Sequence, residues 1–238
     1  MANPYFQFKK FTVRHDKCAI KVGTDAVLLG AWTDATSCKS ILDVGTGTGI
    51  IALMLAQRST ACIEAIDIDK EACMQAEENV IASPFAERIK VIHASYSKFA
   101  GLATQKKYDL IVSNPPYFIH SLKCPDNKRS IARHTDSLPL SELIEYSRSL
   151  LSSSGRIALV LPYEQLKDIK IIAHKNSLFV CRQTDVIPVP GAQPKRLLIE
   201  LSATDTDIKK RNTLIIEEAR HQYTPEYIAL AKDFYLKM

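Results

Sequence analysis

Short apolar runs and amphipathic stretches take turns along this chain. Ser40–Val44 (Ser-Ile-Leu-Asp-Val) has the pattern of a buried strand that runs straight into glycines, and Ile50–Arg58 after it contains no helix breaker. Cys62–Ile68 reads as a second strand, Lys70–Ala82 as a helix that breaks near Ser83-Pro84, and Ile89–His93 as a third strand. Tyr108–Ser113 is a fourth, stopped by Asn114-Pro115-Pro116. Pro139–Leu151 is helical and is closed by Ser-Ser-Ser-Gly; a fifth strand, Arg156–Leu161, and a helix over Tyr163–His174 follow. Leu178–Val189 and Arg196–Leu201 read as late strands joined by Pro190-Gly191-Ala192-Gln193-Pro194, and two helices finish the chain.

Continuous apolar strands alternating with helices predict an open, mostly parallel sheet covered on both faces. The link between the last two strands is too short for a parallel crossover, so one of them must run antiparallel. The expected fold is therefore α/β and doubly wound: a mostly parallel, seven-stranded, Rossmann-like sheet with an antiparallel last strand. Residues 1–36 form a basic N-terminal segment and lead-in helix that pack on a domain spanning 37–238. In such sheets ligands sit beyond the carboxyl ends of the strands, here after the first, second and fourth.

Composition narrows the picture only a little. The 238 residues are 46% hydrophobic and 24% charged, ordinary for a globular chain. The six cysteines contain no Cys-x-x-Cys unit, and the histidines lack metal-ligand spacing, so no metal is expected. No apolar run reaches the ~18 residues of a membrane span, and the first ten residues do not form a signal peptide. A soluble, monomeric cytoplasmic protein with reduced thiols is the expectation. The net charge of +5 is unevenly placed: five basic groups face one acid in residues 1–24, eight face eleven in 25–116, and eighteen face fourteen in 117–238. Basic flanks around a slightly acidic middle suit a catalytic core with surfaces that attract a polyanion.

Chemistry concentrates at two turns. Asp43-Val44-Gly45-Thr46-Gly47-Thr48-Gly49 closes the first strand, and its glycines let backbone pass close to a ligand. Asp67, at the end of the second strand, can accept hydrogen bonds from both ribose hydroxyls of a nucleoside-containing cofactor. The Gly-x-Gly-x-Gly spacing differs from the Gly-x-Gly-x-x-Gly of pyrophosphate-binding turns, which favours S-adenosylmethionine over a dinucleotide. Asp69 has the position of a helix cap, with Glu71 in the first turn.

The second turn, Asn114-Pro115-Pro116-Tyr117-Phe118, is the more specific signal. Two prolines fix φ twice and remove two donors, leaving a stiff loop that presents acceptors. The Asn114 side-chain oxygen and the Pro115 carbonyl can take both hydrogens of an amino group. Tyr117 offers a face on which a planar base can stack, worth about 1–3 kcal/mol at other nucleic-acid sites. Displacement of a methyl from a sulfonium by a held amine fits these groups, with alignment contributing on the order of 7–11 kcal/mol.

On these residues the chain resembles the class I S-adenosylmethionine-dependent methyltransferases that act on amino groups, and most closely the bacterial tRNA1(Val) (adenine-N(6)) methyltransferases. Phe8–Val13, His15–Asp25, Leu42–Gly49, Asn114–Phe118, Ala132–Thr135 and Pro194-Lys195-Arg196 carry the resemblance, nearly end to end. It implies a doubly wound methyltransferase fold and methylation of the adenine just 3′ of the anticodon. It assigns Asn114, Pro115, Pro116 and Tyr117 to catalysis, and Asp43, Gly45, Gly47, Gly49 and Asp67 to the cofactor. Asp25 is placed either at the cofactor ammonium or in a helix N-terminal role. Glutamate is the family's usual residue where Asp67 stands, a conservative departure. Ser95 occupies a place where many class I enzymes put an acid near the cofactor adenine. Lys9, Lys10, Arg14, Arg129, Arg133 and His134 then become candidate contacts to tRNA phosphates, with an internal ion pair or hydrogen bond as the alternative for Arg133 and His134. Competing targets for the same turn are an rRNA or DNA base and a protein glutamine. A nucleotide-dependent oxidoreductase and a non-catalytic RNA-binding module are more distant alternatives.

Overall fold

The apolar runs pair as strands of one large sheet in the computed structural model, which describes residues 3–18, 21–103, 105–116, 138–205 and 210–238. The chain opens with a hairpin, β1 (Tyr5–Gln7) and β2 (Thr12–Arg14), and then the helix α1 (Thr24–Trp32). Alternating units follow: β3 (Ser40–Val44), α2 (Ile50–Arg58), β4 (Cys62–Asp67), α3 (Lys70–Ile81), β5 (Ile89–His93), α4 (Tyr96–Leu102) and β6 (Tyr108–Ser113). After residue 137 come α5 (Leu140–Leu150), β7 (Leu151–Pro162), α6 (Leu166–Lys175), β8 (Phe179–Ile187), β9 (Arg196–Ser202) and β10 (Lys210–Ile215). A small hairpin, β11 (Glu217–Ala219) and β12 (Gln222–Tyr223), and α7 (Pro225–Ala231) end the chain.

The sheet order is β10-β8-β9-β7-β6-β3-β4-β5. β9 runs antiparallel to both of its neighbours, and every other pairing is parallel. The doubly wound α/β architecture and the antiparallel strand are as expected, but the sheet has eight strands where seven were anticipated. The additional strand is β10, in a stretch that reads as helix. Pairing with the edge of β8 turns Leu214 into the core and sets Arg211 beside Asp185, an alternation that outweighs the helical look of its charged start. Among the described residues one terminal helix, not two, therefore closes the chain.

Both faces of the sheet are buried, which is why its strands are apolar at successive positions. Along β7, Ile157, Leu159 and Leu161 join the cluster under α4, α5 and α6, while Ala158 and Val160 join the one under α1, α2 and α7. The N-terminal hairpin belongs to this second cluster through Phe8, Phe11 and Val13. The Ser-Ser-Ser-Gly stretch is a correction: it is strand, not a helix stop. Six residues of β7, Leu151 to Arg156, lie against three of β6, Tyr108 to Leu110, forming a bulge. Gly155 is required there, since a Cβ would lie 2.7 Å from the Tyr108 carbonyl.

Three arginines close the C-terminal end of α1. Arg58 donates to Ala31 O, Arg182 to Trp32 O (3.1 Å) and Arg156 to Asp34 O (2.9 Å). The first two satisfy carbonyls that the helix leaves without partners, and all three favour the negative end of its dipole. This pole of the sheet is thereby built for stability, and the opposite rim carries the candidate chemistry.

Candidate functional site

β6, β3 and β4 lie side by side, and their carboxyl ends open on one rim. Val44 pairs with Ser113, and the Ser113 hydroxyl donates to the Val44 carbonyl at 2.8 Å. Asn114 therefore starts about one strand spacing, ~4.8 Å, from the start of the glycine turn. Asn114 and Pro115 are half-buried and Pro116 is exposed. Tyr117 lies outside the described residues, as do Arg129, Arg133 and His134.

The glycine turn needs its glycines. Gly45, Gly47 and Gly49 have φ of +71°, +56° and +80°, in the left-handed region where a side chain is strained. A Cβ on Gly45 or Gly47 would meet no protein atom within 4 Å, so that face of the turn is open to a ligand. The amides of the turn point elsewhere. Those of Gly45 and Thr46 donate to Ile66 O (both 2.9 Å), that of Gly47 to Asp67 Oδ2 (2.8 Å), and that of Gly49 to Thr46 O (2.9 Å). Such a turn is not an amide nest for phosphates. It fits a cofactor that needs close backbone approach and carries no phosphate, as S-adenosylmethionine does.

Asp67 is half-buried at the end of β4. One carboxylate oxygen accepts from Gly47 N–H and the other from Asp69 N–H (2.9 Å), which fixes the plane and leaves each oxygen able to accept again. Burial pushes its pKa up, against the lowering effect of those amides. Asp69 caps α3, accepting from Glu71 N–H at 2.8 Å, as its sequence position indicates.

Asp43 departs from the sequence reading. It is fully buried, and its Oδ2 accepts the Thr46 hydroxyl at 2.6 Å. Its place beneath the turn, facing the core, lets it brace the turn through Thr46 but not reach a ligand. Desolvation pushes its carboxyl up to about 7 against the Thr46 hydroxyl and the Ala52 amide. Ser95 caps α4, a helix the sequence reading missed, by accepting from Lys98 N–H at 3.4 Å. Asp25 lies in the first turn of α1 with both carboxylate oxygens against Nε of Arg196, at 3.0 and 2.9 Å.

The basic hairpin stands along the C-terminal half of α3. A groove of about 970 Å³ between them is lined by Lys9, Lys10, Phe11, Arg14, Asn79 and Pro84 among others. Lys9 Nζ donates to Lys232 O at 2.6 Å, whereas Lys10 and Arg14 are exposed. Two buried carboxamides that the sequence reading missed mount this segment. Asn79 accepts from Arg14 N–H (2.8 Å) and donates to Arg14 O and Thr48 O (both 2.9 Å), tying β2 to the glycine turn. Gln75 accepts from Lys17 N–H at 3.1 Å. Their spacing of four on the alanine-lined face of α3, polar groups where core residues belong, was the available signal. No group of three or more metal-ligating side chains occurs among the described residues.

The methyltransferase small domain model matches residues 18–176, a span that includes the glycine turn, Asp67 and the proline corner. The chain belongs to that family. Full-length relatives named tRNA1(Val) (adenine(37)-N6)-methyltransferase include one from Parabacteroides distasonis, 62% identical over 238 residues, and one from Bacteroides fragilis, 50% identical over 238 residues; each alignment covers all of both chains. Among solved structures, one described as an O-methyltransferase from Agrobacterium tumefaciens superposes with a TM-score of 0.68 at 20% identity, covering 88% of this chain and 96% of that one. A methyltransferase complexed with SAH superposes with a TM-score of 0.62 at 14% identity, covering 84% of this chain and 56% of its own. Both show the family's fold.

Proposed function

We propose that this methyltransferase transfers a methyl group from S-adenosylmethionine to N6 of an adenine in tRNA, namely adenine 37 of tRNA1(Val). The observation that carries the reading is the register of β6 on β3, which sets the Asn114 corner beside the open face of the glycine turn. The full-length relatives named for that reaction support the substrate.

S-adenosylmethionine, when bound, supplies an electrophilic methyl on a positively charged sulfur. The residues of this chain do the rest. Gly45, Gly47 and Gly49 admit the cofactor against the backbone, and Asp67 accepts its ribose hydroxyls. Asp25 receives the ammonium of its methionine end, and Ser95 borders its adenine. Asn114 and the Pro115 carbonyl accept the two hydrogens of the target amine and turn its lone pair toward the methyl, while Pro115 and Pro116 keep those acceptors rigid. No strong base is required, because the amine would become acidic only once methylated; Asn114 and the Pro115 carbonyl would hold its hydrogens in place, and the proton released would pass to solvent at the exposed rim beside Pro116. Tyr117 stacks on the base. Lys9, Lys10, Arg14, Arg129, Arg133 and His134 hold phosphates around a nucleotide rotated out of its stack. The enzyme acts as a cytoplasmic monomer; no helix among the described residues is long and apolar enough to cross a membrane.

The test is to offer unmodified total tRNA with labelled cofactor and map the label by nuclease digestion and mass spectrometry. Label on N6 of one adenine next to the anticodon is the expected result. Label in guanine, in rRNA, in DNA or in protein glutamine would overturn the substrate.

A further inference from the structure

We infer that Arg196 is a positioning residue that, acting through Asp25, holds the N-terminal turn of α1 against the cofactor side of the site. This rests on the methyltransferase reading above. Asp25 is the second residue of α1 after its cap position, Gly23, where an acid ordinarily accepts from the helix's own free amides. Gly23 has no side chain with which to cap α1. The Asp25 carboxylate is turned to Nε of Arg196, 171 residues away in sequence. Arg196 is itself fixed. It opens β9 opposite Pro162 of β7 and Val186 of β8. Its Nη1 donates to Lys195 O at 3.0 Å, the Lys195 amide donates to Val186 O at 2.9 Å, and the Lys195 carbonyl accepts from Tyr163 N–H at 3.2 Å.

Strand register places the pair on the reactive rim. Ser113 pairs with Leu159 of β7, and Pro162 lies three residues further along. Arg196 therefore stands just past the level of Asn114, two strands over, on the side of β6 away from Asp67. The ion pair is partly covered, with side-chain exposures of 35% and 23%. A charge-assisted contact so placed contributes more than an open surface pair. Since Arg196 lies opposite Pro162, the pair fixes the first turn of α1 at the carboxyl end of β7, on the rim proposed to take the cofactor.

The test compares wild type with Arg196→Met, Arg196→Lys and Asp25→Asn in the full-length enzyme. S-adenosylhomocysteine binding is measured by calorimetry, folding by thermal melting, and KM and kcat by tRNA methylation. Arg196→Met is expected to weaken S-adenosylhomocysteine and raise the S-adenosylmethionine KM about tenfold, while kcat at saturation and the tRNA KM stay within about twofold. Arg196→Lys should recover part of the loss, and Asp25→Asn should reproduce it. Unchanged S-adenosylhomocysteine affinity in Arg196→Met or Asp25→Asn would overturn the inference. So would a rise confined to the tRNA KM, which would put Arg196 on phosphate, or a uniform fall of all parameters with the melting temperature. If Arg196→Met does not fold, Arg196→Lys alone decides, by a loss in cofactor affinity with kcat kept or by no loss. Failure of wild type to bind S-adenosylhomocysteine would sink the methyltransferase reading instead.

Discussion

Asn114 and Asp43 lie at the ends of neighbouring strands and have opposite fates. Asn114 emerges one residue past the last pairing of β6 and is half-buried on the rim; Asp43 is one residue short of the end of β3 and is sealed beneath it. Replacing Asn114 by Ala removes the acceptor proposed to act on the reacting amine. Turnover should fall about 10²–10³-fold with S-adenosylhomocysteine affinity nearly unchanged; equal losses in both, read by single-turnover kinetics and calorimetry, would place Asn114 on the cofactor. Asp43 carries a pH signature. Its carboxyl moves from the ordinary 3.8 to about 7 on folding, so between those pH values the folded chain holds a proton that the unfolded chain has released. Stability should therefore fall as pH rises through that window and level off above it. Asp43→Asn, neutral throughout, should flatten that part of the profile, by up to a few kcal/mol at about 1.4 kcal/mol per pKa unit. Denaturant midpoints measured across the window, in both proteins, decide; an unaltered slope refutes the assignment.

At the scale of elements, the decisive places are those where two pieces of backbone nearly touch. The β7 bulge brings Gly155 against the Tyr108 carbonyl. Gly155→Ala inserts a methyl that meets backbone, which cannot swing aside as a side chain can. A loss of about 2 kcal/mol and a drop in melting temperature of roughly 4–8 °C are expected, and a melt within a degree of wild type would show that the bulge relaxes freely. Of the elements themselves, α2 and the cap of α3 were legible because breakers, capping oxygens and apolar runs act within a few residues. α4 was not. Its seven residues carry the spacing of Tyr96, Phe99 and Ala100 over only two turns, too short a run to decide for a helix, and their helical state depends on those side chains finding the face of the sheet.

Across the whole molecule, charge and connectivity matter more than any one contact. The exposed cations of the N-terminal hairpin flank the groove beside α3, and Asn79 links that hairpin to the glycine turn. Lys10→Glu with Arg14→Glu should weaken tRNA binding and reduce the slope of log affinity against log salt by about 1–2, leaving S-adenosylhomocysteine affinity intact. Filter binding over a range of salt concentrations measures this, and an unchanged slope would remove the hairpin from the RNA path. The rim reads in spatial order as Asp67, the glycine turn, Asn114 and then the Asp25–Arg196 pair, supplied by four strands and one helix that are scattered in sequence.

The sequence by itself determined the alternating fold, the antiparallel strand, the glycine turn and the proline corner. Each is written in hydrophobic period, chain stiffness or turn chemistry over a handful of residues. Only the tertiary structure decided that β10 adds an eighth strand, that Asp43 faces inward, that Ser-Ser-Ser-Gly is a bulge and that Asp25 answers to Arg196. These depend on which segments become neighbours after folding. A carboxylate's burial and an arginine's partner 171 residues away are properties of that packing, and no local pattern encodes them.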